Sequence, residues 1–312
     1  MNRLQIKQLG SKCVLSTLAL ISALGACKNR QEILISGSET MRGVITLVAE
    51  SFNQSQNRYE AKVGGGGSKA GIDELTHSRV DMAMTSNDIS ETHLAALADI
   101  GRFEKVEIGY DGVAVVVHPS NPVTKIHLLQ YAQILSGKIT NWKELGGPDM
   151  AIIPVVRNSN SGTEGYMREH ILRRKDLGEP VYEAYKDAEY APGAVVKRNN
   201  QEIFAFLETN PGAIAYMGVG VVKSEGKGKV KILDYALAKD GPYFQPTVEN
   251  IQGGKYRLSR PLAMIYIPDN AKKDAFIAYA LSEAGQKKVL EYDYMQAAPT
   301  TVVVVEKRLQ KK

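Results

Sequence analysis

Three times between Ile33 and Asp88, a short apolar run ends in small or hydroxyl residues and gives way to a helical pattern. Ile33 to Ile35 run into Ser36-Gly37-Ser38-Glu39-Thr40, after which Ile45, Val48, Ala49 and Phe52 recur at helical spacing. Tyr59 to Val63 read as a strand broken by Gly64 to Gly67, and Ile72 to Val80 follow as a helix. Asp81 to Met84 read as a third strand, ending in Thr85-Ser86-Asn87-Asp88. Strand–turn–helix alternation of this kind demands an α/β fold with mixed, mostly parallel sheets. It also dictates geography. Each turn follows a strand, and open α/β sheets bind ligands beyond the carboxyl ends of their strands. The three turns are therefore expected to converge on one site.

Further along, Val106 to His118 form a long β-rich stretch, interrupted at Asp111-Gly112 and stopped by Pro119 and Pro122. A crossing between domains is expected there, with a return along Tyr256 to Ile267. Residues 126 to 146 look helical in pieces. Ile152 to Val156 read as a strand, followed by Arg157-Asn158-Ser159-Asn160-Ser161-Gly162-Thr163 and a helix that buries Tyr166, Met167, His170 and Ile171. Ala213 to Met217 read as another strand, and Ala275 to Leu290 as a final amphipathic helix.

The chain opens with Arg3, Lys7 and Lys12, an apolar run from Cys13 to Leu24, and Leu24-Gly25-Ala26-Cys27. A basic start, an apolar stretch and small residues before a cut site read as a secretory signal. The run is short of the roughly 20 residues that span a bilayer. A cysteine directly after the cut resembles a bacterial lipobox, so residues 1–26 are expected to be removed and Cys27 lipidated. Residues 27–32 then form a tether, and the protein faces the periplasm or the cell exterior from a membrane. Of two cysteines in 312 residues, Cys13 falls in the signal and Cys27 in the lipobox. The folded body has none for a disulfide, so two packed cores must supply its stability. The formal charge is +5, and three of those positive charges sit in the signal. The remainder is too mild to argue for nucleic acid.

Chemistry concentrates in the turns. Ser161 and Thr163 can donate hydroxyl protons, Gly162 lets backbone approach a ligand, and a helix starting there presents free N–H groups. Arg157 adds a planar fork that matches oxyanions. Ser38, Thr40, Ser68 and Ser86 occupy comparable places after other strands. Each turn alone is an ordinary cap. Together they suit a small, fully dehydrated oxyanion. Rival chemistries are less well supported. Gly65-Gly66-Gly67-Ser68-Lys69-Ala70 matches a dinucleotide fingerprint but lacks an obvious ribose-binding acid. No G-x-S-x-G elbow occurs. The five histidines are scattered, with no metal-binding spacing and no metal expected; His170, on the apolar face of its helix, is expected to be core.

Taken in order, these turns resemble a known family. Asp111 through Pro122, Ser136 through Trp142, Gly212 through Tyr216 and Ser282 through Gln286 extend the likeness over nearly the whole mature chain. The chain is similar to the phosphate-binding proteins of bacterial phosphate ABC importers. The resemblance implies a two-lobed periplasmic-binding-protein type II fold with a two-strand hinge near residues 112–118 and 257–263. Lobe 1 would comprise 33–112 plus 260–312, and lobe 2 residues 113–259. It implies a monomer without catalysis or cofactor that captures inorganic phosphate for an ABC permease and its ATPase. Carried over, Ser38, Thr40 and the Met41 backbone would face phosphate from the first turn and Ser68 from the glycine loop. Arg157, Ser161, Gly162 and Thr163 would face it from the second lobe. Several members place an aspartate where this chain has Ser86, which bears on selectivity between phosphate and sulfate. Glu39 and Asp88 are candidates for reading the phosphate proton. The alternatives are another oxyanion (sulfate, molybdate, arsenate), an exported phosphatase, or a signalling ectodomain.

Overall fold

The computed structural model describes residues 30–297 and 302–305. The signal segment, Cys27 and the first tether residues lie outside them. The chain runs β1 (Gln31–Gly37), α1 (Glu39–Ser55), β2 (Tyr59–Gly66), α2 (Ser68–Thr76), β3 (Met82–Thr85), α3 (Glu91–Ile100) and β4 (Phe103–Val117). Then come β5 (Lys125–His127), α4 (Leu128–Leu135), β6 (Ile153–Arg157), α5 (Gly162–Met167), α6 (Glu179–Tyr185), β7 (Val195–Lys197), α7 (Asn200–Thr209) and β8 (Ala213–Gly218). It closes with α8 (Val219–Glu225), β9 (Lys231–Ile232), β10 (Asp234–Ala236), α9 (Val248–Gln252), β11 (Ser259–Tyr266), α10 (Ala271–Leu281), α11 (Glu283–Glu291), β12 (Met295–Gln296) and β13 (Val302–Val305). The tether expected to reach residue 32 is shorter, because Gln31 already pairs with Tyr59 in the sheet.

The expected mixed α/β class is what the chain adopts. Its main sheet follows the order β2-β1-β3-β11-β4-β8-β6-β7. Parallel trios occupy both ends, β2-β1-β3 in the first half and β8-β6-β7 in the second. The middle, β3-β11-β4-β8, is antiparallel. Strand β4 joins the halves without the interruption expected at Asp111-Gly112: it is 15 residues long and unbroken. What changes there is its partner. Glu104 to Gly112 pair with β11, and Val113 to Val117 pair with β8.

Side-chain alternation along these strands builds three layers. On one face, Ile33, Met84, Val106, Ala114 and Met217 join α1, α7, α8, α10 and α11 in a core that crosses both halves. On the other face the apolar residues divide. Ala83, Phe103 and Ile265 pack with α2 and α3, while Val113, Val115 and Tyr216 pack with α4, Trp142 and Tyr166. The expectation of two cores is thus replaced by one continuous core and two separate ones.

Three boundaries differ for physical reasons. Strand β2 runs on through Gly64, Gly65 and Gly66, because backbone pairing with β1 needs no side chain; the turn comes at Gly67. Helix α2 therefore starts at Ser68, four residues earlier than the apolar spacing implied. The last helix is two, parted at Ser282, whose side chain accepts from the Gly285 N–H. Ser282→Ala is expected to lower stability by about 1 kcal/mol, the usual worth of a helix cap. Urea unfolding checks this, and an unchanged midpoint would contradict it.

Candidate functional site

The turns singled out in the sequence meet where the two halves face each other. Ser38 precedes α1, Ser68 opens α2, Ser86 follows β3, and Ser161, Gly162 and Thr163 lie at the start of α5. All are buried, and Ser86 is fully so. The Ser38 hydroxyl donates to Ser86 Oγ at 2.8 Å. Ser68 Oγ accepts from the Ser86 N–H at 3.3 Å. Contacts then cross between halves. Thr40 Oγ1 and Thr163 Oγ1 are 3.0 Å apart, and the Lys69 N–H donates to the Asn160 carbonyl at 3.1 Å. A methyl on Gly162 would sit 2.3 Å from Ser68 Oγ and 2.8 Å from Ser86 Oγ. That position has room for backbone alone.

Other expected contacts are directed elsewhere. The Met41 N–H donates to the Ser38 carbonyl within the first turn of α1. Ser161 caps α5 by accepting from the Glu164 N–H at 3.2 Å. Helix α5 is only six residues long, so its dipole is weak and side chains dominate the local field. Arg157 is buried, with Nη1 donating to Asn200 Oδ1 at 3.1 Å and Nη2 to the Arg198 carbonyl at 2.8 Å. Its Nε has no hydrogen-bond partner. Asp88 is exposed. Glu39 accepts from the Gly66 N–H at 2.8 Å and pairs with Arg42 at 3.3 Å, bracing the glycine strand against α1.

The arginine among the threonines is Arg260 of β11, which the sequence reading missed. Its Nη2 donates to Thr163 Oγ1 at 2.9 Å and Thr40 Oγ1 at 3.1 Å, and its Nη1 to the Ser86 carbonyl at 2.9 Å. Asp111, opposite it on β4, lies 3.5 Å away. Asp111 Oδ1 also accepts from the Val219 N–H at 3.0 Å. A signal was present: Arg260 is the one charged residue in the otherwise largely apolar β11.

The electrostatics favour an anion. Burial lowers the pKa of both Arg157 and Arg260, and burial raises that of Asp111 from its ordinary 3.8 to about 6. Arginine keeps its charge even so. Two carboxylates among the described residues are buried beside the hydroxyls, Asp111 with Arg260 and Glu164 with the half-buried Arg168 at 2.7 Å, while Arg157's side-chain hydrogen bonds go to neutral oxygens, so no hydrogen-bonded carboxylate takes up its charge. A cavity of about 520 Å³ abuts the cluster at Ser68 and Gly162. His170, expected in the core, lines it instead. Half-buried, it bonds Asp176 at 2.7 Å and stacks on Tyr166 with ring centroids 4.1 Å apart.

Comparison with known proteins agrees with this architecture. A family model described as a PBP superfamily domain matches residues 25–284. The phosphate-binding protein PstS of Borreliella burgdorferi is 27% identical over 281 residues, covering 88% of this chain and 94% of its own. Among solved structures, an ABC-type phosphate transport receptor from Vibrio cholerae is 31% identical, with a TM-score of 0.64 over 85% of this chain and 100% of its own. A Clostridium perfringens protein solved with bound phosphate is 28% identical, with a TM-score of 0.73 over 86% of this chain and 100% of its own. On sequence and architecture alike, this chain belongs to the PBP superfamily.

Proposed function

We propose that this chain is an extracytoplasmic solute-binding lipoprotein that captures inorganic phosphate and delivers it to an ABC-type importer without catalysing a reaction. The observation that carries the reading is the meeting of hydroxyls from both halves of the sheet beside Arg260. The names of its relatives, phosphate-binding proteins and a phosphate transport receptor, support the choice of ligand. Two lobes, 33–112 plus 260–312 and 113–259, would close on the ion through β4 and β11. The change of partner along β4 between Gly112 and Val113 supports that division. Ser38, Thr40, Met41, Ser68, Ser86, Arg157, Ser161, Gly162 and Thr163 would contribute the contacts. Charge-assisted hydrogen bonds contribute roughly 1.5–3 kcal/mol each. Several suffice for the about −8 kcal/mol of micromolar binding.

Ser86 brings no charge, but its oxygen accepts from Ser38 and retains a lone pair for a phosphate proton. Calorimetric titration with phosphate, sulfate, molybdate and arsenate tests the reading. Phosphate is expected to bind at micromolar or tighter dissociation constants and sulfate at least about tenfold more weakly. Sulfate binding as tightly as phosphate would favour the broader oxyanion reading, and turnover of a chromogenic phosphate ester would overturn the non-catalytic one. Lipid on Cys27 would hold the protein beside its permease as a monomer. Cys27→Ala is expected to release it from the membrane fraction with phosphate affinity unchanged.

A further inference from the structure

We propose that Arg260 is a positioning residue that clamps the two halves together and sets the Thr40–Thr163 hydroxyl pair to offer one donor toward the bound anion. The anion's identity rests on the phosphate reading above; the clamp does not.

The geometry is a fork with three outlets. Arg260 stands on β11, in the middle of the sheet, and its guanidinium is essentially without solvent contact. One nitrogen holds the Ser86 carbonyl and Thr40 is reached by the other, both groups belonging to the first half. That second nitrogen also reaches Thr163, at the start of α5 in the second half. Asp111 fixes the fork from β4, and its other oxygen accepts from the first N–H groups of α8. A lysine ammonium could balance Asp111, but it is a single centre, whereas the planar fork reaches the Ser86 carbonyl from one nitrogen and both threonines from the other.

Hydrogen-bond bookkeeping then sets what the threonines can offer. Arginine has no acceptor, so it must donate to both Oγ1 atoms. The two hydroxyls, 3.0 Å apart, share one proton between them. Their second proton stays free, on an oxygen that already accepts twice. What the pair presents to a third group is therefore a donor, which suits an anion's oxygen. Separation of the halves would break the bridge, so the donor arrangement exists only in the closed protein.

Two variants of the full chain test this. Arg260→Lys keeps a cation beside Asp111 but not the fork. Arg260→Gln combined with Asp111→Asn removes both charges, so that no buried charge is left unpaired. The readout is hydrogen exchange at the Lys69 amide, which donates across the halves to Asn160. Its rate is divided by that of the β1 amides, which lie within one half, so general loss of stability cancels. Without added phosphate, both variants are expected to raise this ratio by at least about tenfold, and phosphate affinity is expected to fall by a similar factor. An unchanged ratio in both variants overturns the clamp. If the natural chain binds no phosphate, the phosphate reading fails while the exchange ratio still decides the clamp.

Discussion

Gly67→Ala is expected to weaken phosphate binding by about a hundredfold or more, while the protein still folds. Gly67 sits at φ +104°, and a methyl there would lie 2.4 Å from the Asn160 carbonyl oxygen and 2.8 Å from its carbon. The obstacle is backbone, so no rotamer change relieves it. It also belongs to the other half of the molecule, so the halves can avoid it only by staying apart. The strain of an alanine at this φ and ψ costs about 1–3 kcal/mol of fold stability, whereas blocked closure removes every contact that spans the site. A hundredfold loss corresponds to about 2.7 kcal/mol, less than two charge-assisted hydrogen bonds supply. Gly101→Ala provides the control, since Gly101 has φ +135° and nothing within 4 Å of the added methyl. It carries the backbone strain without the obstacle, and phosphate affinity is expected to be unchanged. Calorimetry on both variants checks this. An affinity for Gly67→Ala within threefold of the natural chain would contradict it.

Asp111→Ala is expected to destabilise the fold by about 3–5 kcal/mol, the usual result of removing one partner of a buried ion pair. Arg260 would lose its carboxylate, and the Val219 N–H its acceptor. Urea unfolding at neutral pH measures this, and a loss under 1 kcal/mol would contradict it. The same residue also gives stability a pH dependence. Burial holds the Asp111 pKa at about 6, above its ordinary 3.8. Between those values the folded protein binds a proton that the unfolded chain has released. By linkage, the Asp111 contribution to stability falls as pH rises through that window and is lowest above about pH 6. Asp111→Asn removes the titration. Its stability relative to the natural chain should therefore rise from pH 4 to pH 6, and a constant difference would exclude this role.

Much of the molecule was legible in the residues, and what escaped did so for identifiable reasons. The turns after β1, β2, β3 and β6 could be read because each follows a short apolar run, and α/β geometry sends strand ends to one edge. Their hydroxyls do converge. The glycines of β2 misled because low strand propensity was read as a break, although parallel pairing with β1 is made by backbone groups alone. Asp111-Gly112 misled for the opposite reason. A buried aspartate looks like a turn in a linear reading, yet here it is held by an arginine 149 positions later in a paired strand. The role of Arg260 escaped for the same cause: a lone charge in β11 could be seen, but its partners Thr40, Ser86 and Thr163 come from three separate segments. The break at Ser282 and the half-buried setting of His170 beside Asp176 likewise depend on partners that helical periodicity does not encode.

The central claim is that phosphate is held between the halves by the buried hydroxyls. A crystal structure of the chain grown with phosphate tests this most directly. The expected result is a tetrahedral ion enclosed by Ser38, Thr40, Ser68, Ser86, Gly162 and Thr163, with Arg260 still bridging Thr40 and Thr163. A phosphate bound outside that cluster, with the hydroxyls still bonded to one another as they are now, would contradict the account.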